Sequence, residues 1–435
     1  IQSTMLSVSI HRLLLLLCAL VGMATTELVH VSVLFRHGHR SPVQLLPSQN
    51  FTVDNYWKDG LGELTNIGKM NEFNLGQFLR KRYDAFLGRR YNSSAHYVRS
   101  TDFDRTLMSA QSCLAGLFPP VGDQRWNSQL PWQPIPVHTV PKAKDYLLEA
   151  PDFPCPERER QFKQVNADPA RLQFYRPYAD FLKRLSAGAG MAVTPASVHK
   201  VLDTLWINKV EGLPAPAWLN YSGPDWQRLV TVGSFQWNEY SWTPDLVRFG
   251  SGRLLDEILG TIDNISHGRL PDRGARLRLY SDHDTTVASA LAALGNTEFV
   301  WPDFASAVLF ELHSDSGQFS LKLFFSNGTG SQRQLFTLPP PGCPKPGQPC
   351  PLASALAGLA PMRLSLPELL KRCRVEGGDG SLGGLSSRVQ LLLAGGLLLL
   401  TCAMLAFVGA CRWFRRRRER QSGAVYNSLN AEVDG

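Results

Sequence analysis

The sequence predicts an α/β fold: a mostly parallel central sheet with flanking helices, a smaller helical subdomain over about 156–260, and one C-terminal transmembrane helix. Three observations carry this reading. Two short apolar runs, LVHVSVLF at 28–35 and RLRLY at 276–280, have the texture of strands buried in a sheet covered on both faces, and each ends abruptly in a polar cluster. The stretch 156–260 is richer in helical and Trp/Pro-containing segments. Residues 389–411 are 23 in number and carry no charge, which at about 1.5 Å per residue spans the roughly 30 Å hydrocarbon layer of a membrane.

Taken in order, the chain opens with His11 and Arg12, the apolar run 13–21 and the small-residue stretch Gly22, Met23, Ala24, the layout of a secretory signal over 1–24. The first strand, 28–35, ends at Arg36, His37 and Gly38. Residues 65–87 read as an amphipathic helix with Thr65 as N-cap and Ile67, Met70, Phe78, Leu79 and Phe86 among its apolar positions. A short strand leads through Tyr97 and Val98 to Arg99. The strand 276–280 ends at Ser281, Asp282, His283 and Asp284, and an alanine-rich helix follows over 285–294. LFEL at 309–312 and FSLKLFF at 319–325, joined by Asp315, Ser316 and Gly317, read as a hairpin. A Pro/Gly-rich segment, 338–351, closes the lumenal domain of 25–374. The Gly/Ser-rich 375–388 is a flexible stalk, 389–411 the membrane helix, and 412–435 a cytoplasmic tail, because Arg412 and Arg415 to Arg418 follow the apolar run directly.

Composition narrows the function. With 435 residues, 44% hydrophobic and 19% charged, the chain is a folded globular protein, neither a disordered polymer nor a polytopic membrane protein. Of the formal charge of +8, residues 412–435 carry +3, six arginines against Glu419, Glu432 and Asp434, and Arg12 adds +1; the +4 left on the remainder is unremarkable and no nucleic-acid partner is expected. The sequons at Asn50, Asn92, Asn220, Asn264 and Asn327 all lie between the two apolar segments, as glycosylation of a lumenal domain requires. Outside those segments stand Cys113, Cys155, Cys343, Cys350 and Cys373, enough for at most two disulfides and one free thiol. No CxxC pair or zinc-type Cys/His spacing occurs, and His37 with His39 lacks a third ligand, so no metal and no cofactor are expected.

The chemistry-bearing residues sit just past strands. Open α/β sheets take ligands at the carboxyl ends of their strands, so the clusters at 36–42 and 281–284 are expected to converge. Arg36 and Arg40 around His37 suit a phosphate: guanidinium forks match its oxygens, and a neutral imidazole nitrogen among them can attack phosphorus. Gly38 would let the backbone approach the ligand closely. Arg99 supplies a further cation, and His283 with Asp284 a second imidazole and an acid.

These motifs have a family resemblance. RHGxRxP at 36–42, YVRSTDFDRTLMSA at 97–110, GLFPP at 116–120, PIPVHTVP at 134–141 and SDHDTT at 281–286 closely resemble the histidine acid phosphatases, specifically the vertebrate lysosomal, prostatic and testicular group, over most of residues 27–352. The resemblance implies a phosphoglycerate-mutase-like sheet and an acid phosphomonoesterase. It implies that His37 is the nucleophile that becomes phosphohistidine, that Arg36, Arg40, Arg99 and His283 hold the phosphate, and that Asp284 protonates the leaving oxygen. It implies Cys155–Cys373 and Cys343–Cys350 disulfides, with Ile207 and Ala307 where the family has a third pair, and Cys113 as a buried free thiol without counterpart. A type I lysosomal membrane protein and a homodimer are implied as well. A receptor-like member with weakened catalysis and an inositol-polyphosphate phosphatase are the alternatives. Two positions depart from the close relatives: His39 replaces Asp, and Asp282 replaces Ala. If the strand ends adjoin, Asp282 is expected to pair with His39 and raise its pKa as a coupled replacement. In the tail, Tyr426-Asn427-Ser428-Leu429 has the form that clathrin adaptors bind.

Overall fold

The computed structural model describes residues 26–148, 153–296, 301–330, 333–343 and 349–373, with short helical pieces between 404 and 413. The signal, the stalk, most of 389–411 and nearly all of the tail, including Tyr426 and Leu429, lie outside the described residues. Among the described residues, no helix is long and apolar enough to cross a membrane.

The first strand, β1 (Glu27–Arg36), is the middle of a seven-stranded sheet. It is followed by α1 (Asn66–Leu87), β2 (His96–Ser100) and α2 (Asp104–Leu117). Helices α3 (Pro156–Asn166), α4 (Pro169–Tyr175), α5 (Ala179–Ala189), α6 (Val198–Val210), α7 (Pro224–Ser234) and α8 (Arg253–Ser266) come next. Then follow β3 (Leu277–Asp282), α9 (Asp284–Ala293), β4 (Ala307–Asp315), β5 (Gln318–Asn327), β6 (Gln334–Leu338), the two-residue β7 (Cys350–Pro351), α10 (Leu352–Leu359) and α11 (Leu366–Arg372). The strand order is β2-β3-β1-β4-β5-β6, with β7 paired to β5.

The expectation of a mostly parallel sheet is corrected. Only β2, β3 and β1 run parallel; β1–β4, β4–β5, β5–β6 and β5–β7 are antiparallel. The cause is the hairpin itself. Ser316 and Gly317 take positive φ of 50° and 84°, the two-residue turn that folds β5 straight back on β4, and β4 then covers the open edge of β1. The parallel third is the part that builds the site.

Both sheet faces are covered. Val31, Val33 and Phe35 of β1 pack with Leu75, Leu79 and Leu117 of α1 and α2, while Leu34 and Tyr280 pack with Leu254, Ile258 and Val287 of α8 and α9. Each such side chain contributes about 1.5–3 kcal/mol on full burial. Thr65 caps α1 as expected, its side chain accepting from the Gly68 amide. Leu79 is buried and Phe78 and Phe86 pack against the same core as expected, but Met70 is 56% exposed, and the buried stripe also runs through Asn71, Leu75 and Tyr83. Asn71 is inside because its amide oxygen accepts from the His39 N–H. Helices α4 to α7 form a separate core around Tyr175, Leu185, Val201, Leu205, Trp226 and Leu229. Ile258 and Leu259 belong to the sheet's core instead, so the expected subdomain edge near 260 falls inside a sheet-covering helix. Cys155 is bonded to Cys373 and Cys343 to Cys350; Cys113 is free and buried on α2, where burial pushes its thiol well up. Asn50, Asn92, Asn220 and Asn264 are exposed, and Asn327 is half-buried with its amide oxygen accepting from the Asp303 N–H.

Candidate active site

Parallel pairing of β1 with β3 puts Arg36 opposite Asp282, and the His37 amide donates to the Asp282 carbonyl at 2.9 Å. The two polar clusters therefore meet at one sheet edge, as their positions after buried strands imply. Gly38 has a different role from the one expected. A Cβ there would lie 2.3 Å from the Gly68 carbonyl oxygen, so the missing side chain admits the first turn of α1, not a ligand.

His37 is 2% exposed. Its Nδ1 lies 2.8 Å from the Gly38 carbonyl, a group that only accepts, so Nδ1 carries the proton and Nε2 keeps its lone pair. Burial first, and then Arg105, Arg36, His283 and Arg40, hold the His37 pKa well below the usual histidine value. The ring of His283 is 5.5 Å away, centroid to centroid. Its Nδ1 accepts from Arg105 at 3.4 Å and its Nε2 faces the Thr101 hydroxyl at 3.2 Å. Burial, followed by Arg105 and Arg40, keeps His283 neutral too.

The cations are arranged unequally. Arg36, 2% exposed, pairs with Asp284 at 2.6 Å, donates to the Pro302 carbonyl and lies over the Phe304 ring at 4.1 Å. Arg40 makes a two-pronged bond to Asp203 of α6, at 3.0 and 3.1 Å. Asp284 opens α9, where its carboxylate accepts from the Thr285 amide. A cleft of about 930 Å³ joins these groups, with His37, Arg40, Arg105, His283 and Asp284 on the sheet side and His199 on the helical side.

Arg99 is not among them. It is 4% exposed and forms a buried ion pair with Asp145 at 2.5 Å, with further donation to the Ser100 and His138 carbonyls. The expectation that Arg99 holds phosphate is corrected in favour of Arg105, one residue into α2, which lines the cleft. Arg105 has no carboxylate at ion-pair distance among the described residues. Burial, then Arg40, pushes its pKa down to about 10. A half-buried guanidinium without an ion-pair partner among the described residues, next to two neutral imidazoles, is suited to holding an anion. The sequence held the signal: Arg105 starts a helix just past the carboxyl end of a parallel strand, where ligands of such sheets lie.

The expected pairing of His39 with Asp282 is also corrected. His39, fully buried, has Nδ1 2.9 Å from the Thr65 hydroxyl and 3.3 Å from Glu211, and its ring meets Phe304 edge-on. Burial, with Arg40 and Arg36, pushes its pKa down to about 4, the opposite of the expected rise. Asp282 accepts from the His283 amide at 2.7 Å and from the Thr286 hydroxyl at 2.9 Å, pinning the start of α9. With different partners, the two positions should act independently: a His39→Asp, Asp282→Ala cycle on kcat/KM at pH 5 will be additive within about 0.5 kcal/mol. A coupling of 1 kcal/mol or more, on the order expected of contacting residues, would restore the paired reading.

Parallel strands that end in an imidazole ringed by arginines, facing a second imidazole and a carboxylic acid, define an enzyme that takes a phosphoryl group onto histidine. The chain matches the profile of the histidine phosphatase superfamily (branch 2) over residues 27–326 and belongs to that family. It is 37% identical to lysosomal acid phosphatase of Bos taurus over 389 residues, covering 87% of each chain. To testicular acid phosphatase of Homo sapiens it is 35% identical over 369 residues, covering 81% of this chain and 84% of the relative. To prostatic acid phosphatase of Bos taurus it is 35% identical over 351 residues, covering 78% and 87%. Among solved structures, the phytase of Citrobacter braakii superposes with a TM-score of 0.62 at 18% identity, covering 79% of this chain and 99% of that one, a likeness of fold.

Proposed function

We propose that the chain is an acid phosphomonoesterase working through a phosphohistidine intermediate. The observation that carries this is the His37 ring, whose Nδ1 is committed to the Gly38 carbonyl while Nε2 stands free beside Arg36, Arg40, Arg105 and His283. Nε2 attacks phosphorus, and the ester P–O bond breaks as a P–N bond forms. The carboxyl of Asp284 gives its proton to the departing oxygen, which is otherwise too basic to leave. The arginines stabilise the charge that builds on the phosphoryl oxygens. Asp284, now a carboxylate, takes a proton from water; that water attacks phosphorus, the P–N bond breaks, and inorganic phosphate and the starting His37 are recovered.

The sign of the pH dependence follows from His37. A nucleophile whose pKa is depressed stays neutral further into the acid range than an ordinary histidine, so His37 keeps its lone pair as the pH falls below the usual histidine value. Hydrolysis of p-nitrophenyl phosphate by the purified protein is therefore expected at pH 5, with inhibition by tartrate. An inactive protein that still binds phosphate would favour the receptor-like alternative and overturn the proposal.

For the setting, the reading is a lysosomal enzyme on a type I membrane anchor, glycosylated at the sequon asparagines and paired as a homodimer. The apolar run 389–411 with its arginine border, the sequons, the two disulfides and the likeness to lysosomal relatives support it. Tyr426 and Leu429 are the adaptor-binding positions. Tyr426→Ala is expected to raise the surface-biotinylated share of the protein about severalfold, and an unchanged lysosomal fraction would remove the sorting role.

A further inference from the structure

Two of the three site guanidiniums are held by acids, Arg36 by Asp284 and Arg40 by Asp203. Arg105 is held otherwise. Its Nε has no hydrogen-bond partner, and its contact with His283 is long at 3.4 Å. Its guanidinium carbon instead lies 4.5 Å from the centroid of the Phe103 ring. The same ring carries the Lys142 ammonium at 3.3 Å and receives the His283 ring edge-on, at 4.8 Å and 84°.

The chemistry of these choices differs. A carboxylate that anchors an arginine also neutralises it and occupies its N–H donors. The face of a benzene ring attracts the cation through its quadrupole, takes no donor and leaves the charge intact. Phe103 is half-buried, stands immediately before α2 and belongs to neither of the cores that fill the sheet's two faces. Packing of the sheet does not account for an aromatic residue at this place; the two cations and the imidazole gathered on it do.

We propose that Phe103 is a positioning residue of the phosphate site, its ring face holding the Arg105 guanidinium in place with charge and donors free for the incoming phosphoryl oxygens. Lys142, drawn to the same ring, adds to the positive field around His283. The proposal rests on the phosphatase reading and deepens it: the strength of phosphate binding is set partly by a ring that does not touch phosphate.

The test uses full-length protein in which Phe103 is replaced by mono-, di- and trifluorinated phenylalanines, which keep the ring's shape while weakening its negative face. The probe is inorganic phosphate as a competitive inhibitor of p-nitrophenyl phosphate hydrolysis. The inhibition constant should rise stepwise with fluorine number, by about 3- to 10-fold at the trifluoro ring, with kcat changing less. Phe103→Trp should hold the wild-type value or tighten it. In an Arg105→Ala background the fluorine series should be flat. A flat series in the wild-type background, or one that persists without Arg105, would overturn the positioning role, including the case where Phe103→Leu merely lowers the melting temperature. Wild-type protein that neither hydrolyses the ester nor binds phosphate would instead overturn the phosphatase reading, and this proposal with it.

Discussion

His37→Ala is expected to lower turnover of p-nitrophenyl phosphate by about 10⁴-fold or more, the scale on which loss of a covalent nucleophile is felt. No neighbour can replace it. His283 is the nearest imidazole, but its Nδ1 accepts from Arg105 and its Nε2 is committed to Thr101, so it presents no free lone pair to phosphorus. The backbone will keep its place in the variant, because the Arg36 and His37 amides are bonded to the carbonyls of Ser306 and Asp282 and Gly38 is wedged against Gly68. Quenching wild-type enzyme in alkali during turnover of phosphorus-labelled substrate should leave label on His37, since phosphohistidine survives base and not acid. Label on a serine or aspartate, or substantial activity in His37→Ala, would refute the assignment.

Arg105→Ala and Arg99→Ala should separate cleanly. The first removes an unneutralised cation from the cleft and is expected to cut kcat/KM by about 10²–10³-fold, as removal of a group that stabilises transition-state charge does. It should cost little stability, because burial already works against that charge and pushes its pKa down to about 10. Arg99→Ala should do the reverse. It strands the Asp145 carboxylate, 1% exposed, without its partner, at a cost of about 3–5 kcal/mol in folding, while the folded fraction keeps near-normal kcat/KM. Urea unfolding and steady-state kinetics on both variants decide it. A stable, inactive Arg99→Ala protein would return Arg99 to the phosphate.

Much of this was readable before the fold. A buried strand ending in Arg36-His37 and another ending in His283-Asp284 can converge only if the strands are parallel neighbours, which β1 and β3 are. The stretch RSTDFDR offered two arginines; the helix start favours Arg105, but what removes Arg99 from the phosphate is not local. Arg99 finds its acid 46 residues away, at Asp145, in a segment without a clear pattern of its own. The same limit governs His39, whose neighbours Thr65 and Glu211 come from the start of one helix and the end of another. The sheet's direction was misjudged for a different reason. The apolar runs of β1 and β3 report burial on both faces, which β4 shares although it runs antiparallel, so composition tracks cover and not polarity.

The bridge between Cys155 and Cys373 closes a covalent ring across 218 positions of sequence. His37 and Arg105 lie on the tether that enters the ring; His283 and Asp284 lie on its circumference. One proteolytic nick on the circumference therefore opens the ring and frees nothing, and the pieces part only when the bridge is reduced. A nick between His37 and Cys155 severs the covalent link between nucleophile and acid. A cut after Cys373 detaches every catalytic group in a single covalent piece from whatever the C-terminal segment is fastened to. Proteolysis would thus have three outcomes fixed by one bond: a clipped but unbroken enzyme, a split one, and a released one.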